Sequence, residues 1–184
     1  MSGYRKPSTK DLVRLHKNLK FIYEISDFYS EKLAGNDIHI KAGEEKVVVC
    51  FEKNSLFHLL GLKYCYGNNQ LWKNLRKRTL TVDDFLIQNY TFNKLQVMHE
   101  FVEIFNGNGY LLNGFELQSA CFDKAMRTNK LILAIGLGNK NNLVQYFPQS
   151  AIDLRKRSDG INLGVKIEEI ISINKITKET IKVL

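Results

Sequence analysis

Proline is nearly absent from this 184-residue chain, which has two, and cysteine is scarce, with three. No Ser/Gly-rich stretch and no internal repeat interrupts the sequence, so nothing marks a linker between domains. We expect a single domain over residues 1–184, with residues 1–8 as a flexible start. Cys50, Cys65 and Cys121 are widely spaced, each in an apolar setting, and form no CxxC or Cys/His pair of zinc spacing. That excludes a zinc ribbon and a disulfide framework and fits free thiols in a reducing compartment. The first residues, MSGYRKPSTKDL, carry no apolar signal core, and no apolar run approaches a membrane span. The expectation is a soluble cytoplasmic protein that makes no membrane contact.

Catalytic signatures are missing as well. There is no HExxH, no GxSxG, and no carboxylate cluster spaced for two-metal phosphoryl transfer. Asp83-Asp84 reads as a helix start; Glu44-Glu45 and Glu168-Glu169 read as turn and surface pairs. Gly136-Leu137-Gly138 lacks both GxGxxG and the GK[ST] ending, so it is no phosphate loop. No metal and no cofactor is expected. If the chain is an enzyme, its chemistry must come from His, Lys, Arg and hydroxyl groups.

What the chain has in excess is positive charge. Twenty-seven Lys and Arg against 19 Asp and Glu give a formal net charge of +8. Such an excess favours a polyanionic partner, nucleic acid above all, because binding releases condensed counterions. Two runs concentrate it: Arg76, Lys77 and Arg78, and Arg155, Lys156 and Arg157. Arg127 and Lys130 precede an apolar segment. Each run is either a solvated loop or a phosphate contact. Tyr64, Tyr66 and Trp72 beside the first run suit base stacking and core packing equally.

Apolar spacing sets the element order. Leu12, Leu15, Leu19, Ile22, Ile25, Phe28 and Leu33 recur at helical steps over Thr9 to Ala34. Ser8 or Thr9 caps the start and Gly35 supplies the stop. Ile38 to Ile40 and Val47 to Phe51 read as a hairpin, with His39 on the solvent side of an edge strand. Thr81 is expected to cap a helix through Phe85-Leu86-Ile87, and Phe92 to Phe105 is strongly periodic. After Asn106-Gly107-Asn108-Gly109 the pattern turns to short apolar segments. Among them Leu131 to Ile135 reads as a central strand, Gly136 to Asn142 as a turn, and Leu143 to Phe147 as the returning strand. The expected class is α+β: a helix-rich N-terminal half packed on one face of a curved antiparallel sheet from the C-terminal half, with a small N-terminal hairpin.

His58 stands out, flanked by core-type residues in Phe57-His58-Leu59-Leu60-Gly61 at the end of an apolar strand. It is either a packing imidazole with both nitrogens satisfied or an acid/base aimed into a cleft. Ser150, two residues after a proline, is a turn residue or a hydroxyl for a ligand.

The segment F-x-K-x-x-x-F-H-L-x-G-L, Phe51 to Leu62, comes after a long helix and a hairpin. Later come L-I-L-A-I, Leu131 to Ile135, and Y-F-P-Q-S, Tyr146 to Ser150. This order resembles the fourth class of phage-encoded barnase/EndoU/colicin/RelE-like (BECR-fold) nucleases over residues 10 to 184. The resemblance implies a metal-independent endoribonuclease or toxin of a phage or mobile element. RNA, tRNA included, would be the substrate, and a cognate antitoxin or immunity protein a partner. In that chemistry the ribose 2′-hydroxyl attacks the neighbouring phosphate. His58 would be the acid/base, Ser150 a phosphate or orienting contact, and Lys63 the stabilising cation, chosen by charge and position alone. Arg76, Lys77, Arg78, Arg127, Lys130, Arg155, Lys156 and Arg157 would hold the nucleic acid. The alternatives are a non-catalytic accessory or inhibitor protein that binds nucleic acid or protein, and a dimerisation module. The oligomeric state stays open.

Overall fold

Ser8 starts the first helix with a reciprocal cap. Its hydroxyl accepts from the Asp11 backbone, and the Asp11 carboxylate accepts from the Ser8 backbone N–H and from Arg5 at 2.8 Å. The computed structural model of the protein describes residues 3–117, 120–139, 145–155 and 163–184. Helix α1 runs Thr9–Phe28, a π-turn carries the chain through Tyr29–Leu33, and Gly35 at φ 79° ends it. Short helices follow: α2 (Ser55–Leu60), α3 (Gly67–Lys77), α4 (Thr91–Met98) and α5 (Phe101–Glu103).

The strands form one nine-stranded sheet. They are β1 (Asn36–Ala42), β2 (Glu45–Cys50), β5 (Gly109–Leu117), β6 (Ala120–Thr128), β7 (Leu133–Asn139), β8 (Gln145–Asp153), β9 (Val165–Lys166), β10 (Glu169–Asn174) and β11 (Thr180–Lys182). Their order is β11-β10-β1-β2-β8-β7-β6-β5-β9. Every pairing is antiparallel except β2 with β8. A separate pair joins β3 (Leu62–Tyr64) to β4 (Phe85–Ile87). The class is the α+β arrangement expected, and the β1–β2 hairpin is a central part of the large sheet.

Strand alternation divides the apolar residues between the two faces. Ile38, Ile40, Val49, Met126, Ile135, Leu137 and Ala151 face the helices and join the main core with Tyr29, Phe51, Phe101 and Phe105. Tyr29–Phe51 and Phe51–Phe101 meet edge to face at 5.9 and 6.5 Å, each pair worth about 0.5–1.5 kcal/mol beyond its area. The other face carries a smaller cluster of Leu112, Phe122, Ala125, Ala134, Ile152 and Leu154.

Several local expectations fail, each for a readable reason. Phe85–Ile87 is strand, because its three apolar residues pair with Leu62–Tyr64; only Val82–Asp84 coils, as a 3₁₀ turn. Leu131 turns at φ 54°, so the central strand begins at Leu133 and runs through Gly136 and Gly138, which were expected to turn. The remaining residues of that expected turn, 140–142, lie outside the described residues. His39 is exposed as the alternation indicates, but β1 is flanked by β10 and β2 and is not an edge. Gly67 opens α3, where a break was expected. Among the described residues no helix is long and apolar enough to cross a membrane.

Candidate active site

The ladder between β7 and β8 slips by one residue. Gly136 lies opposite Ser150 and Leu137 opposite Pro148, which leaves Gln149 as an extra residue on β8. Pro148 explains the place: without an N–H it cannot continue a ladder, so a strand tolerates it at a bulge. Among the described residues β2 pairs with β8 at Gln145 and Tyr146 alone. Beyond that point α2 and α4 both pack against β8.

At the extra residue a backbone carbonyl meets His58. His58 Nε2 lies 3.1 Å from the Gln149 oxygen. A carbonyl only accepts, so Nε2 carries the hydrogen and Nδ1 presents its lone pair. Local sequence explains the position. Ser55–Leu60 is a six-residue helix whose Leu56, Phe57, Leu59 and Leu60 are buried, which leaves His58 on its exposed side. Gly61 at φ 70° then ends the helix, taking its N–H to the His58 carbonyl at 3.0 Å.

A lysine acts on this histidine. Burial beside the helices lowers the His58 pKa below 6.5, the positive charge of Lys94 lowers it further, and the Gln149 bond opposes both. Burial also lowers the pKa of Lys94 itself. The helices are fastened to one another at this point: the Thr91 hydroxyl donates to the Gly61 carbonyl at 2.6 Å. Lys94 occupies the Thr91–Leu95–Met98 stripe of α4, a helical spacing whose other members are buried. That cation in an apolar stripe is the signal that sequence reasoning missed.

The cations expected from sequence scatter. Lys63 is exposed on β3, its ammonium 6.0 Å from the centre of the Tyr4 ring. Arg78 is bound into the fold, paired with Asp27 and lying 4.7 Å over Tyr23, while Arg76 and Lys77 stay exposed at the end of α3. Arg127 is 2 % exposed; it donates to the carbonyls of Thr128 and Leu163 and stacks 4.3 Å over Tyr110. Lys130 lines a half-open cleft of about 420 Å³ with His99, Glu103, Asn108 and Asn129. Arg155 bonds Asp153 and reaches α4 at Gln96, 3.1 Å away. Lys156 and Arg157 lie outside the described residues. Ser150 follows Gln149 directly, half-buried, its hydroxyl 3.4 Å from the Ala151 carbonyl. His58 thus meets β8 at the residue before Ser150, Lys94 acts on that histidine, and Arg155 reaches α4 two residues beyond Lys94.

Residues 21–183 match the family described as PBECR4, phage-Barnase-EndoU-ColicinE5/D-RelE like nuclease4. The chain belongs to this family. No curated protein and no solved structure matches it. Membership in PBECR4, a phage BECR-like nuclease family, makes nucleic acid the substrate class and covers α2, α4 and the β8 bulge together. Among the described residues of this family member, no three His, Cys, Asp or Glu side chains gather as a metal-binding group.

Proposed function

We propose that this chain is a metal-independent endoribonuclease and that His58 is its general base. The observation that carries the reading is the His58–Gln149 bond, which fixes the ring tautomer beside Lys94. A lowered pKa keeps the imidazole neutral at neutral pH, and Nδ1 is the nitrogen left to accept a proton. The RNA 2′-hydroxyl gives its proton to Nδ1 as its oxygen bonds to the adjacent phosphorus. The bond from phosphorus to the 5′-oxygen then breaks.

We assign the cation's role to Lys94 and not to Lys63, whose ammonium lies over Tyr4. A half-buried ammonium meets a phosphorane with less competition from water, so its charge counts for more. Its lowered pKa also makes it the better donor to the leaving 5′-oxygen. Ser150, whose bond to Ala151 is long, serves as a hydroxyl donor to the phosphate. The need for a 2′-hydroxyl restricts the reaction to RNA. A phage or mobile-element toxin acting on tRNA, with a cognate antitoxin, is the biological setting this chemistry fits.

The test is incubation of purified protein with tRNA and mRNA in EDTA. Wild type is expected to cut at least one of them, and His58→Ala to leave it whole. Cleavage that EDTA stops, or full activity in His58→Ala, overturns the reading in favour of a metal-dependent or binding role.

A further inference from the structure

Two tyrosines stand out of the surface, Tyr66 at 67 % and Tyr90 at 63 % exposure. Tyr66 packs against Tyr64 with ring centres 5.8 Å apart. Tyr90 has no such partner: among the described residues it stacks on no ring and carries no cation over its face. Exposing a large aromatic surface forgoes burial energy, so a tyrosine held out alone needs an explanation in what it meets.

Its place in the fold supplies one. Tyr90 is the residue before α4, and its carbonyl accepts the Lys94 N–H at 3.0 Å. Residues four apart lie on one side of a helix, about 6 Å along its axis. Tyr90 thus stands at the start of α4, beside Thr91 and one turn before Lys94. Thr91, the next residue, is the one fastened to Gly61 at the end of α2. The backbone that carries Tyr90 is tied to the end of the histidine's helix through Thr91 and Gly61.

We infer that Tyr90 is a stacking platform for a nucleobase next to the scissile phosphate, and that the substrate is single-stranded. The inference rests on the reading of His58 and Lys94 as the cleavage site. A lysine attracts a phosphate, and an open aromatic face one turn away takes the base of the same or the neighbouring nucleotide. Bases inside a duplex are already stacked and paired, and present no face to a tyrosine. A stacked base also holds the strand still while the 2′-hydroxyl lines up with Nδ1.

The test separates binding from cleavage. The probe is a fluorescein-labelled single strand of roughly 12 nucleotides, within the span of single-strand sites, with 2′-O-methyl groups throughout so that it cannot be cut. Fluorescence anisotropy with wild-type protein should show binding. Tyr90→Ala should weaken it about tenfold, roughly 1.4 kcal/mol. Tyr90→Phe should stay within about twofold of wild type, because the ring and not the hydroxyl stacks. A strand with abasic sites should bind wild type and Tyr90→Ala alike, and a 2′-O-methyl duplex should bind more weakly than the single strand. Equal binding of the intact strand by wild type and Tyr90→Ala overturns the inference. So does an equal loss in Tyr90→Phe, a loss that persists on the abasic strand, or tighter binding of the duplex. If the Tyr90 pattern holds but unmodified RNA is not cut, the nuclease reading fails and the platform stands. If RNA is cut in a His58-dependent way while Tyr90→Ala binds normally, only the platform fails.

Discussion

His58 Nε2 donates to the carbonyl of Gln149, the residue by which β8 outruns β7, across 3.1 Å. The sheet irregularity and the candidate base are one device. Gln149 is left out of the β7–β8 register, and its carbonyl is bonded by a side chain from another element.

Lys94→Met should slow RNA cleavage by roughly a hundredfold, the scale of losing one preorganised charge at a developing oxyanion. It should also move the acid limb of kcat/KM. Lys94's charge disfavours protonated His58, so its removal raises the His58 pKa back toward 6.5. The rise of activity with pH then falls at higher pH in the variant than in wild type. A limb that stays put or moves down contradicts the pairing of these residues.

Arg127 and Lys94 should differ in what salt reports. Each phosphate contact contributes to the slope of log affinity against log salt, so Lys94→Met should lessen the slope by about 0.7 for a single strand. Arg127 is buried on carbonyls and Tyr110. Arg127→Lys should leave the slope unchanged and cost about 1–2 kcal/mol of stability, because a lysine loses both the planar stack and the fork. Anisotropy at several salt concentrations and urea unfolding measure the two effects.

Gly109 and Gly138 both lack room for a Cβ, with different consequences. At Gly109 it would lie 2.4 Å from the Ile104 backbone oxygen, which cannot yield, and 3.0 Å from Ile167 Cδ1. At Gly138 it would meet the end of the Gln149 side chain, which can swing into solvent. Gly109→Ala should cost roughly 1–3 kcal/mol, and Gly138→Ala less than about 1 kcal/mol. Equal losses in thermal unfolding would contradict the packing described.

Asp11 ties the Ser8 cap to Arg5, and those hydrogen bonds hold its carboxyl at about 2, below the usual 3.8. A depressed carboxylate stabilises above its unfolded pKa, and that stability is lost as pH falls from 3.8 through about 2. Asp11→Asn should therefore lower stability at neutral pH by about 1 kcal/mol. The gap between variant and wild type should close over that acid window. A gap that stays undiminished down to about pH 2 would show that the ionised carboxylate is not what matters.

Two parts of the candidate site leave a local trace in the sequence. Phe57-His58-Leu59 marks a polar side chain inside a buried segment, and Pro148-Gln149-Ser150 marks a strand that cannot keep its ladder. The bond between them depends on a one-residue slip against β7, which no local pattern encodes. Lys94 was passed over because N-K-L-Q reads as ordinary helix surface, although the residue sits in the Thr91–Leu95–Met98 stripe. Of the cations singled out by charge, Arg78 and Arg127 are engaged within the fold, on Tyr23 and Tyr110. For the fold, alternation found the hairpin and the strand-rich second half. It misplaced Phe85–Ile87 because three apolar residues fit either element until Leu62–Tyr64 provides a partner.

The most direct test of the central claim is the chemistry left at the cut. RNA is digested in EDTA, and the 5′ fragment is weighed by mass spectrometry. Attack by the 2′-hydroxyl, with His58 as base, predicts a 2′,3′-cyclic phosphate from wild type, no cut by His58→Ala, and none in a strand with a 2′-deoxy residue at the cleaved position. A 3′-hydroxyl on that fragment, or equal cutting of the deoxy strand, would contradict the account, because water and not the ribose would then be the nucleophile.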